Sequence, residues 1–275
     1  MIYFDLERRK RVKKYISINS AFAGILAAVL TATAPLSANA ANAYDSGNWE
    51  YSANVYMWMP KMTGETNSGV DFEIDFGTLL DNLKMTFMGG LEGRNGKWSL
   101  FSDLIYINIG GSQSATVVGD GPFGLYQDRK VSIGLKSWII TLAGGYNYID
   151  TEKGRLDIIA GTRYFYIKED LGLKIDVGPV RIFDRSVSVS DHVWDAIIGV
   201  RGHINVDANW YIPYYFDIGA GGSDLTLQAM AGVGYKFDWG NVLLTYRYLH
   251  YDYKSDFPNA NMDVNGPLLG VVFSF

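Results

Sequence analysis

The sequence predicts an all-β fold, a single antiparallel transmembrane β-barrel of about ten strands, with eight or twelve strands as alternatives. Three observations predict it. Apolar and polar residues alternate with a period of two in segment after segment, short turns alternate with longer connections, and 15% aromatic residues and 31 glycines accompany only 19% charged residues. A wall with one lipid-facing side and one polar side averages out to this composition, because the two faces alternate along each strand.

The N-terminus has the three-part layout of a secretory signal peptide. An apolar core from Ala21 to Leu30 lies before Ala38-Asn39-Ala40, which offers small residues for cleavage. The core is shorter than the roughly 20 residues that a spanning helix needs. We therefore expect a signal peptide over residues 1–40, with cleavage after Ala43 as the alternative, and a barrel domain over residues 41–275. The basic segment that precedes the core contains Arg8, Arg9, Lys10, Arg11, Lys13 and Lys14.

The remaining composition excludes several classes of function. The chain has no cysteine, which excludes disulfides, thiolate metal sites and cysteine nucleophiles. Removal of the predicted leader, with its six basic and two acidic residues, leaves 18 basic and 27 acidic residues and a formal net charge of −9. Without a basic stripe, nucleic-acid binding has no electrostatic support.

Ten segments after the leader show the alternation that is typical of strands with two different faces. They lie near Trp49–Pro60, Lys84–Arg94, Lys97–Gly110, Val131–Ile149, Arg155–Lys168, Val193–Val206, Trp210–Gly219, Asp224–Asp238, Val242–Lys254 and Asn261–Phe275.

The connections between these strands alternate in length. Those at 95–96, 150–154, 207–209 and 239–241 are short, and Asn95-Gly96 is a strong hairpin signal. Those at 61–83, 111–130 and 169–192 are long, although 171–183 is alternatively an extension of the neighbouring strands. Short periplasmic turns and longer outer loops are typical of a bacterial barrel.

Tryptophan positions separate a membrane barrel from a soluble one with an apolar interior. Four tryptophans, at 49, 98, 210 and 239, lie beside the N-terminal end or a short turn, and three, at 58, 138 and 194, lie toward the long loops. We therefore expect two aromatic girdles at the two membrane interfaces, since amphipathic rings prefer the headgroup level.

Particular segments also resemble known proteins. The C-terminal strand has Leu269, Val271, Phe273 and Phe275 at alternate positions, which resembles the signal that the outer-membrane insertion machinery recognises. Together with Trp49–Pro60, Phe101–Tyr106 and Gly266–Gly270, it resembles a group of uncharacterised proteobacterial outer-membrane β-barrel domain proteins of the C-terminal phenylalanine type. The resemblance implies a location in the outer membrane, with lipid, lipopolysaccharide and the insertion machinery as partners. It implies no catalytic motif.

Charged residues of both signs fall on the polar, inward face of the predicted strands. They are Glu92, Arg94, Asp103, Arg163, Asp195, Arg201, Asp217 and Arg247, together with Asp157 and Lys236. In so narrow a barrel they either pair and plug the lumen or line a narrow pore. We expect the plug, and hence a structural or interaction role or at most a narrow pore, with a channel for small or hydrophobic molecules as the alternative.

A surface hydrolase is a further alternative, because some outer-membrane barrels are proteases or lipid hydrolases. The three histidines do not converge: His192 lies in a long loop, His203 toward the periplasmic end and His250 on the lipid face near the outer rim. We expect no catalytic site, no cofactor and no resident metal.

The connection 61–83 combines acidic and apolar residues. It contains Asp71, Glu73, Asp75 and Asp81 beside three leucines. We expect a solvated acidic loop that holds a short helix over the mouth of the barrel. A divalent cation bridging it to lipopolysaccharide is the alternative, since hard cations prefer several oxygen ligands.

Overall fold

The computed structural model describes residues 49–66, 69, 71–118, 126–177, 180–254 and 259–275. The predicted signal peptide, residues 1–40, lies outside the described residues. The described part of the chain contains no helix that is long and apolar enough to cross a membrane.

Ten antiparallel strands close into a barrel, which confirms the predicted fold class and strand number. Around the wall they follow the order β1-β4-β5-β6-β7-β8-β9-β10-β11-β12, and β12 pairs with β1. Their bounds are β1 Glu50–Trp58, β4 Leu83–Asn95, β5 Trp98–Val118, β6 Tyr126–Thr151, β7 Gly154–Val177, β8 Val180–Asn205, β9 Trp210–Gly221, β10 Leu225–Phe237, β11 Gly240–Asp252 and β12 Asn259–Ser274.

The barrel closes along the seam between β1 and β12. Ser52 to Trp58 pair with Ser274 to Leu268 in antiparallel register. Beyond the strand ends, Tyr51 and Phe275 exchange both of their backbone hydrogen bonds, at 3.1 and 2.9 Å. Every edge of the membrane wall is thus paired, as a hydrocarbon environment requires. Recognition of this last strand by the insertion machinery stays a prediction.

The turns at the short-turn end are tight for local reasons. Gly96, between β4 and β5, has φ 54°, which only glycine adopts easily. Between β8 and β9, the carboxylate of Asp207 accepts the backbone N–H groups of Asn209 and Trp210 at 2.8 and 2.7 Å. The hydrogen bond from the N–H of Trp210, and after it the one from Asn209, lowers the pKa of Asp207 below its usual value, because both favour the charged form.

Four strands are much taller than the rest. β5, β6, β7 and β8 contain 21, 26, 24 and 26 residues, whereas β9, β10 and β11 contain 12 or 13. The predictions of long loops at 111–130 and 169–192 are therefore wrong for most of those residues. They continue the strands, because β6 and β7 remain paired from Thr151 and Gly154 up to Gln127 and Val177.

Two short strands and a helix follow β1 within the connection 61–83. They are β2 Lys61–Thr66, β3 Asp71–Ile74 and α1 Phe76–Asp81. β2 pairs with the outer half of β12, and β3 pairs with β2. The short helix matches the prediction. Asp75 caps its N-terminus by accepting the N–H of Thr78 at 2.8 Å, and Leu79 is buried.

The two faces of the wall divide as the alternation predicts. The outer face exposes large apolar side chains such as Leu91, Leu100, Ile198 and Leu244. A soluble barrel would not expose so much apolar surface to water. A barrel surrounded by lipid hydrocarbon would have such an outer face.

The girdle prediction is wrong for one tryptophan. Trp58 is 2% exposed and lies inside the barrel, where its Nε1 donates to the carbonyl of Gly266 at 3.2 Å. It shares the inward face with Tyr56, two residues earlier on β1. By contrast, the tryptophans at 49, 98, 194, 210 and 239 are exposed on the outer face. That these rings sit at the membrane interfaces stays a prediction.

Candidate functional site

The lumen is filled by side chains from opposite walls, and its lowest level is a network of ion pairs near the short turns. We call Glu92, Arg94, Asp157 and Arg201 the lower network. Arg201 Nη2 lies 2.6 Å from Glu92 Oε1, and Arg94 Nη2 lies 2.8 Å from both Glu92 Oε1 and Asp157 Oδ2. Because β4 and β8 stand almost opposite each other in the wall, the contact between Glu92 and Arg201 spans the lumen.

Aromatic side chains continue the filling above the lower network. The guanidinium carbon of Arg201 lies 3.9 Å from the ring centroid of Phe101, a cation–π contact. The Phe101 ring in turn packs edge-on against Tyr215, with centroids 6.4 Å apart. Phe101 on β5 and Tyr215 on β9 again come from nearly opposite walls.

Two ion pairs, the middle pairs, form the next level. Arg247 Nη2 lies 2.8 Å from Asp103 Oδ2 and donates to Gln228 Oε1 at 2.7 Å. Arg163 pairs with Asp217, and both side chains are fully buried. Charges are tolerated inside a protein only when they are paired, and here each guanidinium has a carboxylate partner within the lumen.

Neighbouring polar side chains complete the middle pairs. Tyr56 donates its hydroxyl to Asp103 Oδ1 at 2.6 Å, and Arg247 donates to the Tyr56 oxygen at 3.0 Å. Arg163 donates to Thr226 Oγ1 at 3.1 Å. Sequence reasoning did not select Tyr56, Thr226 or Gln228, although alternation along β1 and β10 places all three on the inward face.

An apolar layer closes the lumen toward the outer side. It contains Trp58, Met88, Ile105, Ile139, Phe165, Val193, Leu249, Tyr251, Met262, Val264 and Leu268, with Leu79 from α1 packed into it. The rings of Phe165 and Tyr251, on β7 and β11, lie 5.0 Å apart and meet across the lumen. The short helix contributes to this layer through Leu79.

A cavity of about 170 Å³ remains between the lower network and the middle pairs. Its lining includes Glu92 and Arg201 from below, Tyr56 and Arg247 from above, and Phe101 at the side. The cavity has room for water molecules. The charged side chains that line the cavity form ion pairs with one another. The lower network limits the cavity on one side and the middle pairs limit it on the other.

The structure brings seven of the eight selected charged residues into ion pairs. Asp195 differs, because one of its carboxylate oxygens accepts the backbone N–H of Ser223 at 2.9 Å and the other has no hydrogen-bond partner among the described residues. Asp157, which sequence reasoning placed on the inward face without selecting it, contacts Arg94, Arg155 and Arg201. Its position near the start of β7 gave no signal of that central role.

The three histidines lie far apart, on different faces or strands. His192 is exposed on β8, in a segment that sequence reasoning assigned to a loop, and its N–H donates to Asp191. His203 packs against Tyr211 near the short turns. His250, on the outer face, has its Nδ1 2.8 Å from Asp263 Oδ1, an ion-pair geometry that sequence reasoning missed.

The acidic residues of the connection 61–83 are engaged separately. Glu73 pairs with Lys61 at 3.0 Å, and Asp75 caps α1. Across the described residues, no group of three or more acidic or histidine side chains is arranged to hold a metal ion.

A second candidate site is the extension of β5 to β8 beyond the barrel, which lies on the side predicted to be extracellular and which we call the extracellular sheet. β4 pairs with β5 only up to Ile109, and β9 pairs with β8 only from Asp195 inward. Above these points the four strands continue as a sheet, and no described strand pairs with its two edges. From Asp195 to Val180 the strand rises about 50 Å along its axis at roughly 3.3 Å per residue. Inside this sheet the Ser188 hydroxyl hydrogen-bonds to Asp170 and lowers the pKa of that carboxyl.

No family model matches the chain, and no curated protein matches it in sequence. Among solved structures, the outer membrane protease OmpT from Escherichia coli aligns with a TM-score of 0.50 and 9% identity, over 86% of this chain and 99% of that one. At that identity the similarity shows the fold alone. The fold is that of Gram-negative outer-membrane barrels, and the predicted location in the outer membrane agrees with this fold and with the apolar outer face.

Two further solved structures align less closely. They are the translocator domain of the autotransporter NalP from Neisseria meningitidis, with a TM-score of 0.39 and 15% identity over 84% of this chain and 90% of that one, and Ail from Yersinia pestis, with a TM-score of 0.34 and 14% identity over 82% and 98%. These TM-scores are too low to support an argument.

Proposed function

We propose that this chain is a closed, non-conducting outer-membrane barrel that serves as a scaffold for its extracellular sheet, which is an interaction surface. One observation carries the proposal: side chains from opposite walls touch at successive levels of the lumen. Arg201 reaches Glu92 at 2.6 Å, and Arg247 reaches Asp103 at 2.8 Å. The rings of Phe165 and Tyr251 meet above them.

A narrow pore or a channel for hydrophobic molecules is less well supported. A conducting path needs a continuous wet lumen, but the outer level is apolar and its members Trp58, Leu249 and Tyr251 are at most 2% exposed. A path for apolar molecules would instead have to cross the buried charges of Arg163 and Asp217. The apolar level thus opposes the passage of ions, and the charged levels oppose the passage of apolar molecules.

Planar-bilayer recordings test the closed lumen. We expect no channel steps from the wild-type protein. The single variants Arg201→Ala and Tyr251→Ala are also expected to stay silent, because each removes one side chain and leaves the other contacts across the lumen in place. Circular dichroism verifies that both variants are folded. Regular conductance steps from the wild-type protein would overturn the proposal.

The proposal assigns no catalytic step to the chain. The His192 ring packs at 6.1 Å from that of Tyr164. His203 lies eleven residues further along the same strand, near the short turns, and His250 lies on β11. The refolded protein is expected to show neither protease nor lipase turnover. Robust turnover that is lost in His192→Ala would contradict this expectation.

The extracellular sheet supports the interaction role. Its strands continue far beyond the length that spans a bilayer, and a free sheet edge presents N–H and C=O groups that can pair with another strand. Natural sheets blunt such edges with lysine, proline or bulges. Between Ser186 and Ser190 the β8 edge contains only serine and valine.

A further inference from the structure

The β8 edge of the extracellular sheet has a defined hydrogen-bonding direction. At the barrel rim the carbonyl of Trp194 accepts the N–H of Gly222, so the backbone groups of residue 194 point away from β7. N–H and C=O groups alternate sides along a strand, and the pairing of β8 with β7 is regular from Asp184 to Asp195. The backbone groups of the even-numbered residues, including Ser186, Ser188 and Ser190, therefore point to the free edge.

The side chains along this edge are self-complementary when two copies run antiparallel. With Ser188 opposite Ser188 of a second copy, Arg185 lies opposite Asp191; Asp184, which would lie opposite His192, already pairs with Lys174 of its own chain at 3.4 Å. Val187 lies opposite Val189, and both valines are exposed in the single chain, at 59% and 44%. Directly opposite side chains of opposite charge and apolar cross-strand pairs both stabilise antiparallel strands.

Neighbouring registers lose this match. A shift of the centre to residue 187 places Arg185 opposite Val189, and a shift to residue 189 places Asp191 opposite Val187. All three registers pair the same free backbone groups, because an antiparallel pair can be centred on a hydrogen-bonded or a non-hydrogen-bonded pair of residues. Of the three, the register centred on Ser188 places opposite charges against each other on both sides.

The direction of the strands decides where the second copy stands. In one membrane all copies of β8 run the same way, so an antiparallel copy must come from a membrane that faces the first. The overlap extends from 183 to 193, and it ends just before residue 195, where β9 begins to pair with β8. The length of the free edge therefore suits a partner whose sheet reaches, at its far end, the barrel opening of the first copy.

We propose that two copies of this chain in facing membranes pair through their β8 edges, antiparallel and centred on Ser188, to form one continuous sheet across the gap. The inference rests on the proposed role of the extracellular sheet as an interaction surface and names its partner. The chain then acts as a homophilic adhesin, since the same edge serves as both donor and acceptor surface.

Charge reversal tests the register. The protein is reconstituted into phosphatidylcholine vesicles with the extension outward, and clustering is followed by two-colour fluorescence microscopy. We expect wild-type vesicles to cluster, and vesicles with Arg185→Asp alone or Asp191→Arg alone to fall to the level of protein-free vesicles. A mixture of the two variant populations should cluster again, because the carboxylate introduced at position 185 of one variant then faces the guanidinium introduced at position 191 of the other. The second cross-strand pair of that mixed contact keeps its native Arg185 and Asp191.

The matched control is Lys168→Asp, which makes the same change in charge on β7 and away from the free edge. It should cluster like the wild type. Misfolding cannot explain a rescue that appears only on mixing. Wild-type vesicles that do not cluster, or variants that the mixture does not rescue, would overturn the proposal.

A cysteine scan measures the same register by distance, since the chain contains no cysteine. Under a mild oxidant, Ser188→Cys should link vesicles of the two colours, because opposed strand residues bring their Cα atoms within the range of a disulfide, roughly 4.4–6.8 Å. Ser186→Cys is the control, since its partner cysteine lies four positions away along the ladder and should not link. Equal linking by both variants would contradict the register.

These experiments separate the two proposals. Failure of clustering with a silent bilayer recording removes the homophilic contact and leaves a closed scaffold with another partner. Channel activity in the wild-type protein removes the closed scaffold whatever the vesicles do.

Discussion

The lower network and the Arg163–Asp217 pair both place charges inside the lumen, yet water reaches them differently. In the lower network the side chains of Glu92, Arg94 and Arg201 are 24%, 15% and 15% exposed, and that of Asp157 is 2% exposed. The side chains of Arg163 and Asp217 are both fully buried. Each lower charge also has more than one partner, whereas Arg163 has one carboxylate. Burial and the number of charged partners, rather than hydrogen-bond geometry, should therefore decide how much stability is lost when a charge loses one partner.

The largest effect is expected where a buried charge loses its single carboxylate partner. Asp217→Ala leaves Arg163 buried without a carboxylate, which should lower the free energy of unfolding by about 3–5 kcal/mol. Urea unfolding in lipid vesicles measures it. The double variant Arg163→Met with Asp217→Leu is the control, and it should lose much less because no charge remains unpaired. A single variant within about 1 kcal/mol of the wild type would break the comparison.

A smaller effect is expected in the lower network. Glu92→Ala removes one acceptor, but Arg94 keeps its contact with Asp157 at 2.8 Å, and Arg201 Nε remains 3.7 Å from the same carboxylate. The loss should be about 1–2 kcal/mol in the same assay. Glu92→Gln, which keeps an acceptor, should lose less than the alanine variant. A loss equal to that of Asp217→Ala would show that redundancy does not matter.

The smallest effect is expected outside the lumen. Lys61 and Glu73 form an ion pair at 3.0 Å with side chains 48% and 64% exposed. Lys61→Ala should change the free energy of unfolding by less than about 1 kcal/mol. Raising the salt concentration should remove even that difference, since exposed charges are screened. A salt-independent loss would indicate that the β2–β3 hairpin contributes through packing instead.

Local sequence rules predicted the ten strands of the barrel. They did not predict how far four of those strands extend beyond it. The short turns and the ten strands follow from alternation and turn residues such as Asn95-Gly96. The segments 111–130 and 169–192 are rich in serine, glycine and charged residues, which those rules assign to loops. Their strand structure depends on the pairing of β5 with β6, β6 with β7 and β7 with β8, contacts that no local pattern records.

The inward face was predictable, but its partners were not. Alternation places Glu92 and Arg201 inside, yet they are 109 positions apart in the chain, and only the closed order of the strands brings them together. Trp58 shows the reverse case. Its place near the long loops predicted a girdle, whereas parity with Trp49 already placed it on the opposite face of β1.

The seam between β1 and β12 has a consequence for how the molecule is made. It joins strands from the two ends of the barrel domain, so the contacts that finish the cylinder span almost all of its residues. Any partly assembled sheet has two unpaired edges, and hydrocarbon offers no hydrogen-bond partner to their backbone N–H and C=O groups. Insertion and cylinder closure should therefore occur together, as one slow, all-or-none event governed by topology.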